Sequence, residues 1–411
     1  MTLGFAALPP PGRYALTHVR VPAALVTAPG AVVVDDLARV DLLIDGAMVA
    51  DVLPAGAGAA AWGDAASVHM HEAIIFPGFV DAHTHLDKGH IWPRKSNPDG
   101  SFPGALNAVG EDRTANWSAT DVERRMEFGL RAAYAHGTVA IRTHLDSVGG
   151  QEDISPDVFA TLRARWAGRI DLQAVTLCGI DYQIDRAHCE KLGRINQRVG
   201  GIYGSVTYLT PNLEAGLVNV FDMAEKFGLD LDFHVDETQD PMAASLGRIA
   251  EIAIERRYQG KIQVGHCCSI TRQPADQQDR VIDLVAKAGI AVVSLPMCNM
   301  YLQERHTGRT PRYRGVTLLH EMKARGITVS VASDNTRDPF YAYGDLDMLE
   351  VYREATRIAH FDHPVADWPT AVTAAPARAM GLIGRGIVAP GAPADLVLFK
   401  GRSWTELLSR P

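Results

Sequence analysis

The sequence predicts an α/β protein: a (β/α)8 TIM-like barrel accompanied by a small β-sandwich formed by the N- and C-terminal segments. Three observations predict it. Eight short apolar runs fall between residues 74 and 332, most of them rich in Leu or β-branched residues, as strands buried on both faces are. Helix-patterned segments separate the runs, which is the alternation of a parallel barrel. Histidines and carboxylates gather where the runs end. The rival arrangement, a doubly wound open sheet, would favour a Gly-x-Gly-x-x-Gly loop after its first strand, and none is present.

Residues 1–70 carry short alternating runs, Ala15–Val21, Ala31–Val34 and Val40–Ile44, expected as small antiparallel strands. The eight longer-range runs follow: Ile74–Ala82, Val139–His144, Ile170–Leu177, Gly201–Tyr208, Leu229–His234, Lys261–His266, Ile290–Leu295 and Ile327–Ala332. Between the first two, Ser118-Ala119-Thr120-Asp121 is a capping-box variant. Val122, Met126, Leu130, Ala133 and Tyr134 then recur at helical spacing up to Gly137 at the C-cap. Helical segments ending at Phe227, Ala288 and Arg325 are each closed by a glycine, Gly228, Gly289 and Gly326, that leads at once into a strand run. Gly386–Phe399 returns to the character of the first 70 residues, so the two ends are expected to pair. The expected division is 1–70 and 385–411 for the sandwich and 71–384 for the barrel.

A chain of 411 residues with 47% hydrophobic and 21% charged residues reads as a soluble globular protein of the size of an enzyme. The net charge of −8 suggests neither a nucleic-acid nor an anionic-membrane partner. Five irregularly spaced cysteines, Cys178, Cys189, Cys267, Cys268 and Cys298, make no disulfide framework, and a cytoplasmic location is expected. The first residues lack a basic segment followed by an apolar core, so no secretory leader is expected. No apolar stretch approaches the roughly 18 residues of a membrane span.

Barrel enzymes hold their reactive residues at the C-terminal ends of the strands. The first run ends in Asp81-Ala82-His83-Thr84-His85. Residues two apart on a strand share a face, so His83 and His85 present two imidazoles together. The second run ends in Arg142-Thr143-His144-Leu145-Asp146, the fifth in His234-Val235-Asp236-Glu237, the sixth in His266 and the eighth in Ser333-Asp334-Asn335. This set suits one hydrolytic metal, with His83, His85 and His234 as nitrogen ligands and Asp334 as the oxygen ligand. A water in the open position would have its pKa lowered toward about 7 on zinc. Asp334 can take that water's proton, and Glu237 can pass a proton to the substrate nitrogen. His266 can ligate, or orient the water and stabilise the developing oxyanion. A second, bridged metal needs a further ligand, and the fourth run ends in Ser205-Val206-Thr207-Tyr208, which offers none.

His144 is expected behind the ligands or facing substrate. His90, His188, His306 and His320 are expected at the surface. Asp87-Lys88 is either a solvated loop pair or the source of a substrate-facing cation. Cys267 and Cys268 are expected as buried structural thiols. Trp92 and Phe340 follow strand ends, where each could stack on a flat ring or simply pack.

Phe76-Pro77-Gly78-Phe79-Val80-Asp81-Ala82-His83-Thr84-His85 resembles the signature of the amidohydrolase superfamily. The motifs HTHLDK (His83–Lys88), RTHLD (Arg142–Asp146), HVDE (His234–Glu237) and SDNTRDPF (Ser333–Phe340) resemble the branch that holds cytosine deaminases and N-isopropylammelide amidohydrolase. The resemblance covers nearly the whole chain. It implies zinc or iron(II) on His83, His85, His234 and Asp334, Glu237 as proton shuttle and His266 as the water-orienting histidine. Asn299 to Gln303 (NMYLQ) resembles the Asn-x-x-Leu-Gln stretch of cytosine deaminases, which makes Asn299 and Gln303 candidate substrate contacts together with Lys88, Trp92, His144 and Asn335. Two departures count against cytosine itself. Gly179 stands where those enzymes carry a glutamine that reads the pyrimidine edge, and Asn335 replaces their second aspartate. Asp181 and Gln183 are candidates for a replacement contact.

The expected activity is therefore mononuclear, metal-dependent hydrolytic deamination of an amino-substituted N-heterocycle, a pyrimidine or triazine, with Zn2+ or Fe2+. A metal hydroxide would attack the ring carbon and ammonia would leave. The alternatives are hydrolysis of an N-alkylamino group or a cyclic amide, and a non-catalytic binding protein, although none of the ligands is missing. The expected partner is a small heterocycle, and the assembly a homo-oligomer.

Overall fold

The computed structural model describes residues 7–9 and 12–409. The fold is α/β with parallel sheets, divided into two compact units: residues up to Val80 together with those from Tyr352 onward, and Asp81–Val351.

All eight apolar runs become strands, numbered here one to eight: Phe79–Thr84, Thr138–Asp146, Asp171–Leu177, Tyr203–Thr207, Leu231–Val235, Ile262–His266, Ala291–Ser294 and Val329–Val331. Strands one to three lie side by side in one sheet, and four to eight in another, in sequence order. Strands two and three are parallel, with Ala140 beside Asp171 and Asp146 beside Leu177. Every neighbouring pair from four to eight is also parallel. Isolated parallel bridges join Val175 to Ile202 and Gly179 to Val206, and another joins Thr84 to Asp334.

The first run differs from expectation. Ile74–Ala82 is not one strand: Ile75–Pro77 and Phe79–Thr84 are separate. Pro77 has no N–H to continue a ladder. Ile75–Pro77 pairs antiparallel with Leu396–Leu398, and the Gly78 N–H is taken by the Asp395 carbonyl at 2.7 Å.

The helix signals work as their chemistry predicts. The Ser118 hydroxyl accepts from the Asp121 N–H at the start of the helix Ala119–Ala135. Its buried face carries Val122, Met126, Leu130 and Ala133, while Tyr134, expected on the same stripe, is 50% exposed. The helices Leu213–Phe227 and Ala275–Ala288 close on Gly228 (φ 63°) and Gly289 (φ 67°), where a side chain would strain the left-handed backbone.

In the other unit, Arg13–Pro22 and Leu37–Asp45 pair antiparallel, and Leu37–Asp45 also takes Val32–Val34 and Met48–Pro54 antiparallel. Ala66–His69 joins the other edge of Arg13–Pro22 in parallel. Leu16, Val19, Val21, Val40 and Leu42 are buried between and under these strands. Segments from the two parts of the chain pair here: besides the Leu396–Leu398 pairing, bridges link Val26 to Val388 and Met48 to Pro393. Among the described residues no helix is long and apolar enough to cross a membrane.

Candidate metal and proton-transfer site

Strand register brings the site together. His234 sits beside Val206 on one neighbour and Gly265 on the other, and His266 stands one rung further out beside Val235. The Asp334 N–H bonds the His83 carbonyl and the Thr84 hydroxyl donates to the Asp334 carbonyl, each at 2.8 Å, so the residue after the eighth strand is fixed against the first. The Asp81 carboxylate accepts from the Ser333 and His83 N–H groups at 3.2 and 3.4 Å, fixing the same junction. Four non-glycine residues at these strand ends, Asp236, His266, Cys267 and Asp334, have φ between 47° and 67°. Left-handed backbone in such residues is uncommon, and strain of this kind concentrates where side chains must be aimed.

His83 Nε2 lies 3.1 Å from His234 Nε2, which lies 3.2 Å from His85 Nε2. Asp334 Oδ1 is 3.6 Å from His83 Nε2 and 3.3 Å from His85 Nε2. Tetrahedral ligands at about 2.0–2.2 Å from zinc stand roughly 3.3–3.6 Å apart, so these spacings fit one central ion. The residue chemistry fits it too. Burial first, and then the neighbouring imidazoles or Lys88, push the three histidines well below their usual pKa, which keeps them neutral as ligation requires. Among the described residues no N–H or O–H group donates to either Asp334 oxygen in hydrogen-bond geometry, although both are buried. Burial raises Asp334 to about 7. An anionic group buried without donors is costly unless a cation holds it.

Beneath the cluster lies a buried charged layer. Asp232 accepts from Arg142 at 2.8 Å, from Gln263 at 2.9 Å and faces His144 Nε2 at 3.2 Å. His144 is thus held by Asp232, with its ring 4.0 Å from that of His83, and it also groups with His83, His85 and His234 as a possible ligand. The sequence reading missed Asp232. Its position two residues before His234, on the same strand face, was the available signal.

Glu237 is half-buried beside the cluster. Burial, and then the charge of Asp334, raise its pKa well above the usual carboxylate range. Its Oε1 accepts from Asn299 Nδ2 at 2.8 Å and lies 3.5 Å from His266 Nδ1. Asn299 Nδ2 is also 3.0 Å from that His266 nitrogen. Burial lowers His266 to about 3, so it too is neutral.

Lys88 is no solvated loop residue. It is buried, its Nζ 3.0 Å from Asp146 Oδ1 and 5.2 Å from the centre of the Phe340 ring. Burial alone would lower its pKa, but Asp146 and then Asp87 outweigh this and raise it, so it stays an ammonium. Arg113 holds the other Asp146 oxygen at 2.8 Å. Asn335 Nδ2 donates to Asp338 at 2.8 Å. Gln303 accepts from Gln239. Trp92 is half-buried, its backbone N–H donating to the Arg337 carbonyl. Asp181 accepts from Tyr208, Thr210 and Asn212, whereas Gln183 is wholly buried against Tyr203, away from this group of bonds.

The histidines set aside as surface residues divide. His306 and His320 are exposed, but His90 and His188 are half-buried. The His90 ring meets the Phe128 ring edge-on at 4.8 Å. All five cysteines are buried and unbridged, and burial raises the Cys267 and Cys268 thiols well above their usual pKa, which removes them as nucleophiles.

Residues 196–411 match the family model described as the Amidohydrolase family. The whole chain aligns with a pterin deaminase from Rhizobium rhizogenes at 50% identity, covering 93% of that protein. An N-isopropylammelide isopropyl amidohydrolase from Pseudomonas sp. strain ADP is 27% identical over 67% of this chain and 67% of its own length. Among solved structures, a 5-methylcytosine deaminase from Klebsiella pneumoniae superposes with a TM-score of 0.82 at 23% identity, over 96% of this chain and 93% of that one.

Proposed function

The chain belongs to the amidohydrolase family, and from that premise we propose that it is a mononuclear, metal-dependent deaminase of an amino-substituted N-heterocycle, with a pterin as the leading substrate. The observation that carries the proposal is the convergence of three imidazole nitrogens and the Asp334 carboxylate within 3.1–3.6 Å, with the Glu237 carboxyl beside them. In this reading the eight strands close as a barrel within residues 71–384. His83, His85, His234 and Asp334 hold one Zn2+ or Fe2+. A divalent ion there supplies Lewis acidity and a water acidified toward neutrality.

The chain's own residues do the rest. Asp334 takes a proton from the attacking water. Glu237, whose pKa is raised by burial and then by the charge of Asp334, protonates the ring nitrogen next to the attacked carbon. His266 donates toward the oxygen that becomes negative. Lys88, fixed by Asp146, places a positive charge beside the site, and Phe340 and Trp92 offer flat faces to a ring. The proton taken up by Asp334 passes to the amino group, which leaves as ammonia, and the hydroxyl proton returns to Glu237 as the ring carbonyl forms. The pterin assignment rests on the likeness to the pterin deaminase, whose identity extends over the whole chain.

A second reading, removal of an N-alkylamino group, is favoured by the likeness to the isopropylammelide enzyme. One experiment separates them. Protein reconstituted with zinc or iron is offered pterin, 5-methylcytosine, guanine and N-isopropylammelide, and ammonia and isopropylamine are quantified separately. Ammonia from pterin supports the proposal. Turnover of N-isopropylammelide alone, with isopropylamine as product, replaces it with the second reading.

A further inference from the structure

The ends of the third and fourth strands carry polar side chains that the proton-transfer site does not use. Val206 lies in register with His234, and an isolated parallel bridge sets Gly179 beside Val206. Residues in register, and residues two apart along a strand, share a face. Gly179, Val206 and Tyr208 therefore belong to the face that bears His234. All three are half-buried, whereas Cys178, Ser205 and Thr207, on the opposite face, are buried. The open side of these two strand ends is thus the side of the metal ligand.

Tyr208 is held over Gly179. A Cβ at position 179 would stand 2.8 Å from the Tyr208 hydroxyl and 3.4 Å from its Cε1, so the phenol takes the place of a side chain from the third strand. Its hydroxyl donates to Asp181 Oδ2 at 2.9 Å. The Thr210 hydroxyl and Asn212 Nδ2 donate to Asp181 Oδ1, each at 2.8 Å. Burial opposes the charge on this carboxylate, but Asn212, Thr210 and Tyr208 outweigh it and lower its pKa. Burial first, and then Asp181, raise the Tyr208 phenol to about 12. At neutral pH the carboxylate is ionised and the phenol keeps its proton. A phenol has one proton to give and an ionised carboxylate only accepts, so that proton is committed to Asp181. The Tyr208 oxygen is left with lone pairs alone.

We infer that Tyr208 is a specificity-determining residue whose oxygen accepts a hydrogen bond from a ring N–H of the substrate, and that Asp181 is the positioning residue that fixes this polarity. The pair selects a heterocycle with a lactam N–H, as pterin has. It rejects a ring that presents a bare nitrogen or an N-alkyl group at that place, because two facing acceptors leave both unpaired. The inference rests on the deaminase reading above.

The test measures binding of lumazine, the deaminated form of pterin, to full-length, zinc-loaded protein by calorimetry. Lumazine carries ring N–H groups at N1 and N3, and 1-methyllumazine and 3-methyllumazine each lack one. The wild type is expected to prefer lumazine to one of the two methyl derivatives. Tyr208→Phe, which keeps the ring and removes the oxygen, is expected to bind lumazine about tenfold more weakly, the scale of one hydrogen bond left unmade. Its affinity for the disfavoured methyl derivative should not fall. With pterin as substrate, KM should rise by a similar factor while kcat stays within about threefold. Asp181→Ala frees the phenol proton, and the preference for lumazine should narrow. Unchanged lumazine affinity in Tyr208→Phe overturns the inference. So does an equal loss for lumazine and both methyl derivatives, which is what a merely structural role would give. An unchanged preference in Asp181→Ala overturns the part assigned to the carboxylate. Wild-type protein that shows the expected binding pattern but releases no ammonia from pterin refutes the proposed function and not this assignment. Ammonia release without the binding pattern refutes the assignment alone.

Discussion

Replacing Glu237 with glutamine tests the proton-transfer half of the site while disturbing little else. The side chain is half-buried, and its Oε1 accepts a hydrogen bond from Asn299 Nδ2 at 2.8 Å. Glutamine keeps the length and an oxygen that can accept the same bond, but cannot carry an acidic proton. The metal set, built from His83, His85, His234 and Asp334, is left intact. Positioned general acids and bases contribute about 10²–10⁴ in rate. At 1.36 kcal/mol per tenfold, the substitution should raise the barrier by about 2.7–5.4 kcal/mol. The removed charge adjoins Asp334, which contributes to the raised Glu237 pKa, so metal affinity should shift only modestly. The assay is steady-state ammonia release from pterin, with bound metal measured on the same preparation by elemental analysis. The expected outcome is kcat down by at least about 100-fold with full metal content and a KM within about threefold. A fully metal-loaded Glu237→Gln enzyme retaining more than about a third of wild-type kcat would refute the assigned role.

Three other outcomes follow from particular contacts. Stripping the metal with a chelator should remove about 3–4 kcal/mol of stability at metal concentrations 100–1,000 times Kd, lowering Tm reversibly. His85→Ala should abolish the response, whereas a wild-type Tm indifferent to chelator counts against the four-ligand site. His90, lowered to about 4 first by burial and then by Arg337, is neutral when folded at pH 5 and mostly charged when unfolded. The unfolded state therefore binds more protons between pH 6.5 and about 4, and stability falls as pH drops through that window. The loss should be at most about 2 kcal/mol between pH 7 and 5; His90→Phe should remove that component of the urea-midpoint shift, and identical pH slopes for the two proteins would contradict it. At Gly179, an added Cβ would stand 2.8 Å from the Tyr208 hydroxyl, which donates to Asp181 at 2.9 Å. Gly179→Ala should therefore break a charge-assisted bond and cost about 1.5–3 kcal/mol; the cost should largely vanish in a Tyr208→Ala background, and strict additivity of the two changes would show that they do not interact.

Much of the architecture was legible in the sequence because local rules governed it. The eight apolar runs are strands because buried parallel strands need continuous apolar residues. Ser118, Gly228 and Gly289 bound helices because capping and left-handed backbone depend on side chains close in sequence. His83 and His85 could be seen to share a face from the two-residue period of a strand. The break at Pro77-Gly78 was harder to read, because the short strand before it pairs with a segment far along the chain, Leu396–Leu398.

By itself the sequence determined the α/β class, the strand and helix succession, and the residue types that meet at the strand ends, since propensity, periodicity and capping act within a few residues. Only the tertiary structure decided how those residues are used. It set three Nε2 atoms and Asp334 within ligand distance, and gave Lys88 to Asp146 and His144 to Asp232. It also turned Asn299 toward both Glu237 and His266. These are contacts between side chains from different strands and helices. They depend on register and burial, and the pKa shifts that suit the groups to their roles arise from desolvation, which exists only once the chain has closed around them.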